Sequence, residues 1–298
     1  MSSSTPILRT RLTLFACSAL LAWPAARAVA FDDPKPEASA KAPTPPTLVI
    51  RDDLFEVIEK AGFDGAFALL DPSANTLVQV NAKRCTERFV PVSTFKVFIS
   101  LAALEFGAID GPDTIMKWNG VKQPIEEHNQ DLSLRSALRM SANWPFIDLL
   151  NKLDPERLQQ AVRDSHYGNM DTRGSRTRFW VDGELRITPN EQLEFLRRLD
   201  QKTLPFSQQT IDTVRDMMVT ARDEESILRG KTGWSAPEGQ PNVVWYVGSL
   251  EHNGKCVEFA IVLIKENPDA GVMSKARRDL AEELLRRLGH VVPHTAAK

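Results

Sequence analysis

The 298-residue chain carries 37 lysines and arginines against 39 aspartates and glutamates, with 42% hydrophobic residues and three cysteines. That near-balance gives no electrostatic footprint for nucleic acid. Three cysteines make no disulfide scaffold or zinc site. The five histidines do not fall at ligand spacing beside acids, which disfavours a metal mechanism, so no metal is expected.

Residues 1–30 read as an export signal. Arg9 and Arg11 precede the apolar run "LTLFACSALLAW", and Ala26-Arg27-Ala28 or Ala28-Val29-Ala30 offers a cleavage site. The run is too short for a membrane span, so a secreted, periplasmic-type protein with no transmembrane anchor is expected. Cys17 follows "LFA", but Phe15 is an awkward fit to a lipoprotein box. Loss of three arginines with this segment leaves 34 basic residues facing 39 acidic ones, a charge of −5. Residues 31–47, "FDDPKPEASAKAPTPPT", are rich in proline and alanine and read as an extended tether.

Residues 48–298 are long enough for one large domain or two lobes around a cleft. "LFEVIEKAG" predicts a short helix, and "GAFALLDPSANTLVQV" predicts two strands around a turn built on Asp71, Pro72, Ser73 and Asn75. A helix is expected from Ser93, with further helices over "LSLRSALRM" and over "DPERLQQAV", the last capped by Asp154 with Pro155 at its first position. In "TPNEQLEFLRRL" Thr188 caps, Pro189 follows and Glu191 closes a capping box; Leu193, Leu196 and Leu199 mark the buried face. "VVWYVGSL" and "CVEFAIVLI" flank Asn253-Gly254, a hairpin signal. A last helix runs through "SKARRDLAEELLRRLG" with Leu280, Leu284 and Leu288 apolar. Strands at both ends with helices between predict an α/β (α+β) fold: one antiparallel sheet built from both termini (about 48–92 and 206–298) and an inserted all-helical lobe (about 93–205).

The chemistry begins at "PVSTFK". Residues three apart share a helix face, so Ser93 and Lys96 point the same way, among Phe95, Val97, Phe98 and Ile99. A buried ammonium without an acid is costly unless it loses its proton, and a neutral lysine beside a serine is a base beside its nucleophile. Alone, the stretch is read as well by a capping serine and a lysine reaching solvent. Four later stretches shift that reading: "RMSANW" with Ser141 and Asn143, "SHYGN" with Tyr167, "RFWVDGELRITPNEQ" with Trp180, and "RGKTGWS" with Lys231, Thr232, Gly233 and Trp234. The "GKT" is no phosphate loop, since Glu225 stands where that motif needs glycine and no helix follows.

Ser-x-x-Lys, Ser-x-Asn and Lys-Thr-Gly in this order resemble the serine penicillin-recognising enzymes. With "WNG" at 118–120, "YGN" and "FW…G.L.I.P.EQ", the chain resembles class D β-lactamases from about Phe63 to Leu288. The resemblance implies that Ser93 attacks a β-lactam carbonyl, that Lys96 is the base, carboxylated by carbon dioxide with no other cofactor, and that Trp180 donates its indole N–H to that carbamate. It further implies an oxyanion hole from the N–H groups of Ser93 and Trp234, a proton relay through Ser141, Lys231 and Thr232 on the opposite wall, and Arg277 on the substrate carboxylate. One feature departs from the pattern. Class D enzymes usually carry Ser-x-Val where this chain has Ser141-Ala142-Asn143, and "SANW" is closer to the penicillin-sensor domains, which share the fold and keep the acyl group. Ser-x-Asn is also usual in transpeptidases and carboxypeptidases, where "YGN" and "FW" are not expected. Whether Cys85 and Cys256 pair is left open.

Overall fold

The computed structural model describes residues 44–266 and 268–293. The expected export signal and most of the tether lie outside these residues. Among them no helix is long and apolar enough to cross a membrane.

One seven-stranded sheet organises the molecule. Its strands are β1 (Thr47–Ile50), β2 (Asp64–Asp71), β3 (Thr76–Val80), β6 (Val219–Arg222), β7 (Ser226–Ser235), β8 (Asn242–His252) and β9 (Lys255–Lys265), in the order β1-β3-β2-β9-β8-β7-β6. Strands from the two chain ends meet at β2 and β9. The expected purely antiparallel sheet needs one correction: β1 pairs with β3 in parallel. The intervening helix α1 (Phe55–Lys60) carries the chain past β3's position before β2 begins, so β1 joins on the far side. At the β8–β9 hairpin Asn253 and Gly254 both adopt positive φ, 49° and 74°, as a tight two-residue turn demands.

Alternation along the strands buries both faces. Phe67, Leu69, Tyr246, Phe259 and Ile261 face α1 and the last helix α9 (Ala270–Arg287), while Ala66, Ala68, Trp245, Val247 and Ala260 face the remaining helices. These are α2 (Ala82–Cys85), α3 (Lys96–Glu105), α4 (Leu134–Met140), α5 (Trp144–Lys152), α6 (Pro155–Asp164), α7 (Pro189–Asp200) and α8 (Gln208–Met217). Asp154 accepts from the Arg157 N–H at the start of α6, and Thr188 and Glu191 form the capping box of α7. The helical lobe is not all-helical, because β4 (Ile115–Met116) and β5 (Leu132–Ser133) form a small antiparallel ribbon within it. Nor do the lobes divide at 205. Leu193, Leu196 and Leu199 of α7 are buried, that helix packing on β2, β8 and β9, whereas α8 packs on α3, α4 and α7. Helix α9 begins four residues earlier than its sequence pattern marks, at the Asp269 cap, and buries Met273, Ala281, Leu284 and Leu285. Cys85 and Cys256 are free thiols.

Candidate active site

Ser93 sits in a 3-10 turn, Val92–Phe95, that leads directly into α3 at Lys96. In a 3-10 turn positions i and i+3 eclipse, which sets Ser93 and Lys96 on one side. The serine caps nothing with its side chain. Val92, a β-branched residue, is held at φ 43°, a strained conformation for such a side chain and one that clusters at functional sites. Its N–H donates to the Trp180 carbonyl at 3.1 Å, and Phe89 exchanges two backbone bonds with Ile187. The turn is thus fixed from outside its own helix.

Lys96 has no exposed surface. Its Nζ donates to the Ser141 carbonyl at 2.6 Å and to Asn143 Oδ1 at 2.7 Å, with the rings of Phe146 and Trp180 at 5.3 and 5.5 Å. Burial, and then the charge of Lys231, push its pKa well below the usual lysine range. A neutral amine has two N–H donors and one lone pair. Two acceptors use the donors and leave the lone pair for a proton. Asn143 heads α5 without capping it through its side chain, because its amide oxygen is turned to Lys96.

Ser141 ends α4 in left-handed geometry, φ 60°, which lets its carbonyl and hydroxyl face different lysines. Its Oγ accepts from Lys231 Nζ at 2.8 Å. Lys231 is itself buried and donates to the Thr232 carbonyl at 2.9 Å. Burial, followed by the charges of Arg277 and Arg278, depresses its pKa well below the usual range. Strand β6 pairs with β7 only as far as Arg229, so residues 231–235 form a local strand edge that faces the Ser93 turn.

A cleft of 440 Å³ opens there, lined by Ser93, Ser141, Asn143, Thr232, Gly233, Trp234 and Arg277. Arg277 Nη1 donates to the Gly233 carbonyl at 2.9 Å, its Nε is buried without a partner, and burial pushes its pKa down to about 10. Among the described residues no acidic side chain lines this cleft. Sequence reasoning missed its other wall: Gln123, Pro124, Ile125, His128, Arg139 and Arg278. Burial lowers the pKa of His128, whose Nε2 is 3.1 Å from the Met140 carbonyl. No motif marks these residues, which lie in a loop or beside known positions.

Two expected site residues stand behind the cleft. Trp180 is buried under Lys96, but its indole N–H donates to the Thr177 carbonyl at 3.0 Å and not toward the lysine. The bend at residues 177–180 brings that carbonyl within reach. Tyr167 packs edge-on against Phe95 and Phe195, supporting the start of α3. Its buried hydroxyl is near Thr94 and Gln192, outside hydrogen-bond geometry. Gly168, at φ 53°, approaches the Arg186 carbonyl so closely that a Cβ would lie 2.1 Å from it. Asn169 bonds Arg186 and Glu184, so "YGN" clamps the segment that carries Trp180.

Residues 62–288 match the family described as penicillin binding protein transpeptidase domain. The chain belongs to that family. Among curated relatives it is 31% identical over 222 residues to the β-lactamase OXA-20 of Pseudomonas aeruginosa, covering 74% of this chain and 81% of that one. It is 34% identical over 227 residues to the regulatory protein BlaR1 of Bacillus licheniformis, covering 76% of this chain but only 38% of BlaR1. A solved class D β-lactamase, YbXI from Nostoc, superposes with a TM-score of 0.76 at 37% identity, over 80% of this chain and 99% of that one. The transpeptidase-family chain is therefore a class D-like serine enzyme that is also similar to part of a regulatory protein, and its mixed sheet flanked by helices is the fold of the class D neighbour.

Proposed function

We propose that this chain is an exported serine β-lactamase acting through an acyl-enzyme on Ser93. The observation that carries the reading is Lys96: fully buried, its pKa pushed well down by that burial, and bridged through Ser141 to Lys231. Ser93 Oγ attacks the lactam carbonyl and its proton passes to the Lys96 lone pair. The oxyanion lies between the N–H groups of Ser93 and Trp234. Collapse breaks the C–N bond, the ring nitrogen takes a proton from the Ser141 hydroxyl, which is oriented by Lys231, and the proton held on Lys96 returns to Ser141, restoring the neutral amine. Thr232 and Arg277 hold the substrate carboxylate. Water, activated at Lys96, then hydrolyses the ester.

Carboxylation of Lys96 by carbon dioxide needs the unprotonated amine that burial favours. The carbamate also needs donors, so Asn143 has to turn its amide N–H₂ inward and the Trp180 indole has to leave Thr177. A second reading follows from that requirement. With Asn143 Oδ1 held on Lys96, the unmodified lysine is favoured, deacylation slows, and the protein acts as a β-lactam-binding or sensing module. Steady-state hydrolysis of a chromogenic cephalosporin, paired with intact-protein mass, separates the two. Turnover without an accumulated adduct supports the hydrolase, and a stoichiometric long-lived adduct supports the binder. A Ser93→Ala protein that still gains the mass of one penicillin defeats both.

A further inference from the structure

A second polar cluster lies on the same sheet face as Lys231, one side-chain row away. Arg229, Ser249 and Glu258 are cross-strand neighbours on β7, β8 and β9, and Glu251 pairs with Cys256 in the next row. The C-terminal end of α7 lays Asp200 over them. The Cys256 sulfur and one carboxylate oxygen each of Asp200 and Glu258 lie within 4.8 Å of one another. Glu258 is 1% exposed, and both its Oε2 and Asp200 Oδ2 are buried and accept no hydrogen bond.

Buried carboxylate oxygens without a donor are costly, and each such atom asks for an ion or a proton. Neither nearby guanidinium reaches the two orphaned oxygens. Arg215 Nε donates to Asp200 Oδ1 at 2.8 Å and Arg229 Nη1 to Glu251 Oε2 at 2.9 Å. Arg229 Nε is also unpartnered, but it bonds neither acid. Burial and the Asp200 charge push Glu258 up to about 9, and burial raises the Cys256 thiol.

We propose that Asp200, Cys256 and Glu258 bind one zinc-class divalent cation, at a site separate from the active-site cleft. A point equidistant from three atoms 4.8 Å apart is about 2.8 Å from each, so an inward movement of about 0.5–0.8 Å per ligand reaches Zn–O of about 2.0–2.2 Å and Zn–S of about 2.3 Å. A thiolate with two carboxylates selects zinc or cobalt over magnesium or calcium. Charge closes as well: the three ligands and the dication leave one negative charge, which Arg215 on Asp200 balances. Binding exchanges the thiol proton and the Glu258 proton for the metal. Cys256 is only partly covered, which gives an entry path from its side.

The test is titration of the reduced, full mature chain with Co²⁺, then displacement by Zn²⁺. One equivalent of Co²⁺ should give a near-ultraviolet thiolate-to-cobalt band, Zn²⁺ should abolish it and raise the melting temperature, and equal Mg²⁺ should do neither. Cys256→Ser should lose the band, and Glu258→Gln, which mimics the protonated acid and so should fold, should weaken binding at least about tenfold. A band that survives in Cys256→Ser overturns the site. So does a wild type indifferent to both metals while Glu258→Gln is more stable, the signature of a shared proton alone.

Discussion

The cleft and the acid patch share one face of one sheet, Lys231 and Arg229 being two residues apart on β7, yet they handle buried charge in opposite ways. In the cleft two buried lysines find four oxygens at 2.6–2.9 Å, and the cost of burial is met by lowering their proton affinity. In the patch two buried carboxylates keep an oxygen each without any donor. Matched neutral polar groups make a rigid, reactive base. Unmatched acid oxygens make a place for a cation. The difference teaches that hydrogen-bond completeness, more than burial, separates a finished site from one that awaits a ligand.

The largest effect should come from Ser93→Ala, which ought to cut β-lactam turnover by at least about 10³-fold while leaving Co²⁺ uptake at Cys256 unchanged. Loss of both would show that the two regions are one. A smaller effect should follow from Asn143→Val, which removes one of the acceptors of Lys96. With added bicarbonate, hydrolysis should rise about fivefold, the worth of one hydrogen bond near 1 kcal/mol; rates indifferent to bicarbonate in both proteins would exclude a carbamate here. Stability against pH sharpens the contrast further. The folded chain holds Lys96 less protonated than the unfolded chain does, so the unfolded state binds more protons and stability rises with pH, toward the ordinary lysine value of about 10.4. Denaturant melts from pH 7 to 9 should show wild type gaining on Lys96→Met; parallel curves would mean an ordinary, protonated lysine. Smallest is Thr188→Ala, which uncaps α7, the helix that bonds Thr94 near the cleft through Gln192 and carries Asp200 to the patch. It should cost about 1 kcal/mol in chemical denaturation and leave the ratio of turnover to metal uptake unchanged.

Much of this arrangement is legible in the sequence because it is local. Ser93 and Lys96 lie one turn apart, Thr188 and Glu191 form a box within four residues, and Asn253-Gly254 specifies its hairpin. Lys231 follows from a strand motif, and the packing of Leu193, Leu196 and Leu199 from helical period. What depends on distant segments is not legible. The parallel pairing of β1 is set by a crossover, the Asn143 amide is turned by a lysine 47 residues away, and the Trp180 indole answers a bend at Thr177. The acid patch shows one trace, Cys256 and Glu258 on one strand face, but Asp200 arrives from another helix.

Val92, at positive φ, presses its Cγ2 toward Gly233, where an added Cβ would stand only 2.8 Å away. The floor of the cleft therefore has no slack: a side chain at 233 pushes on the turn bearing the nucleophile. Adaptation to bulkier antibiotics is thereby directed to the opposite bank, residues 123–128, where Ile125 is 52% exposed and lines the same opening. Diversity selected under drug pressure should accumulate on that loop while 233 stays glycine.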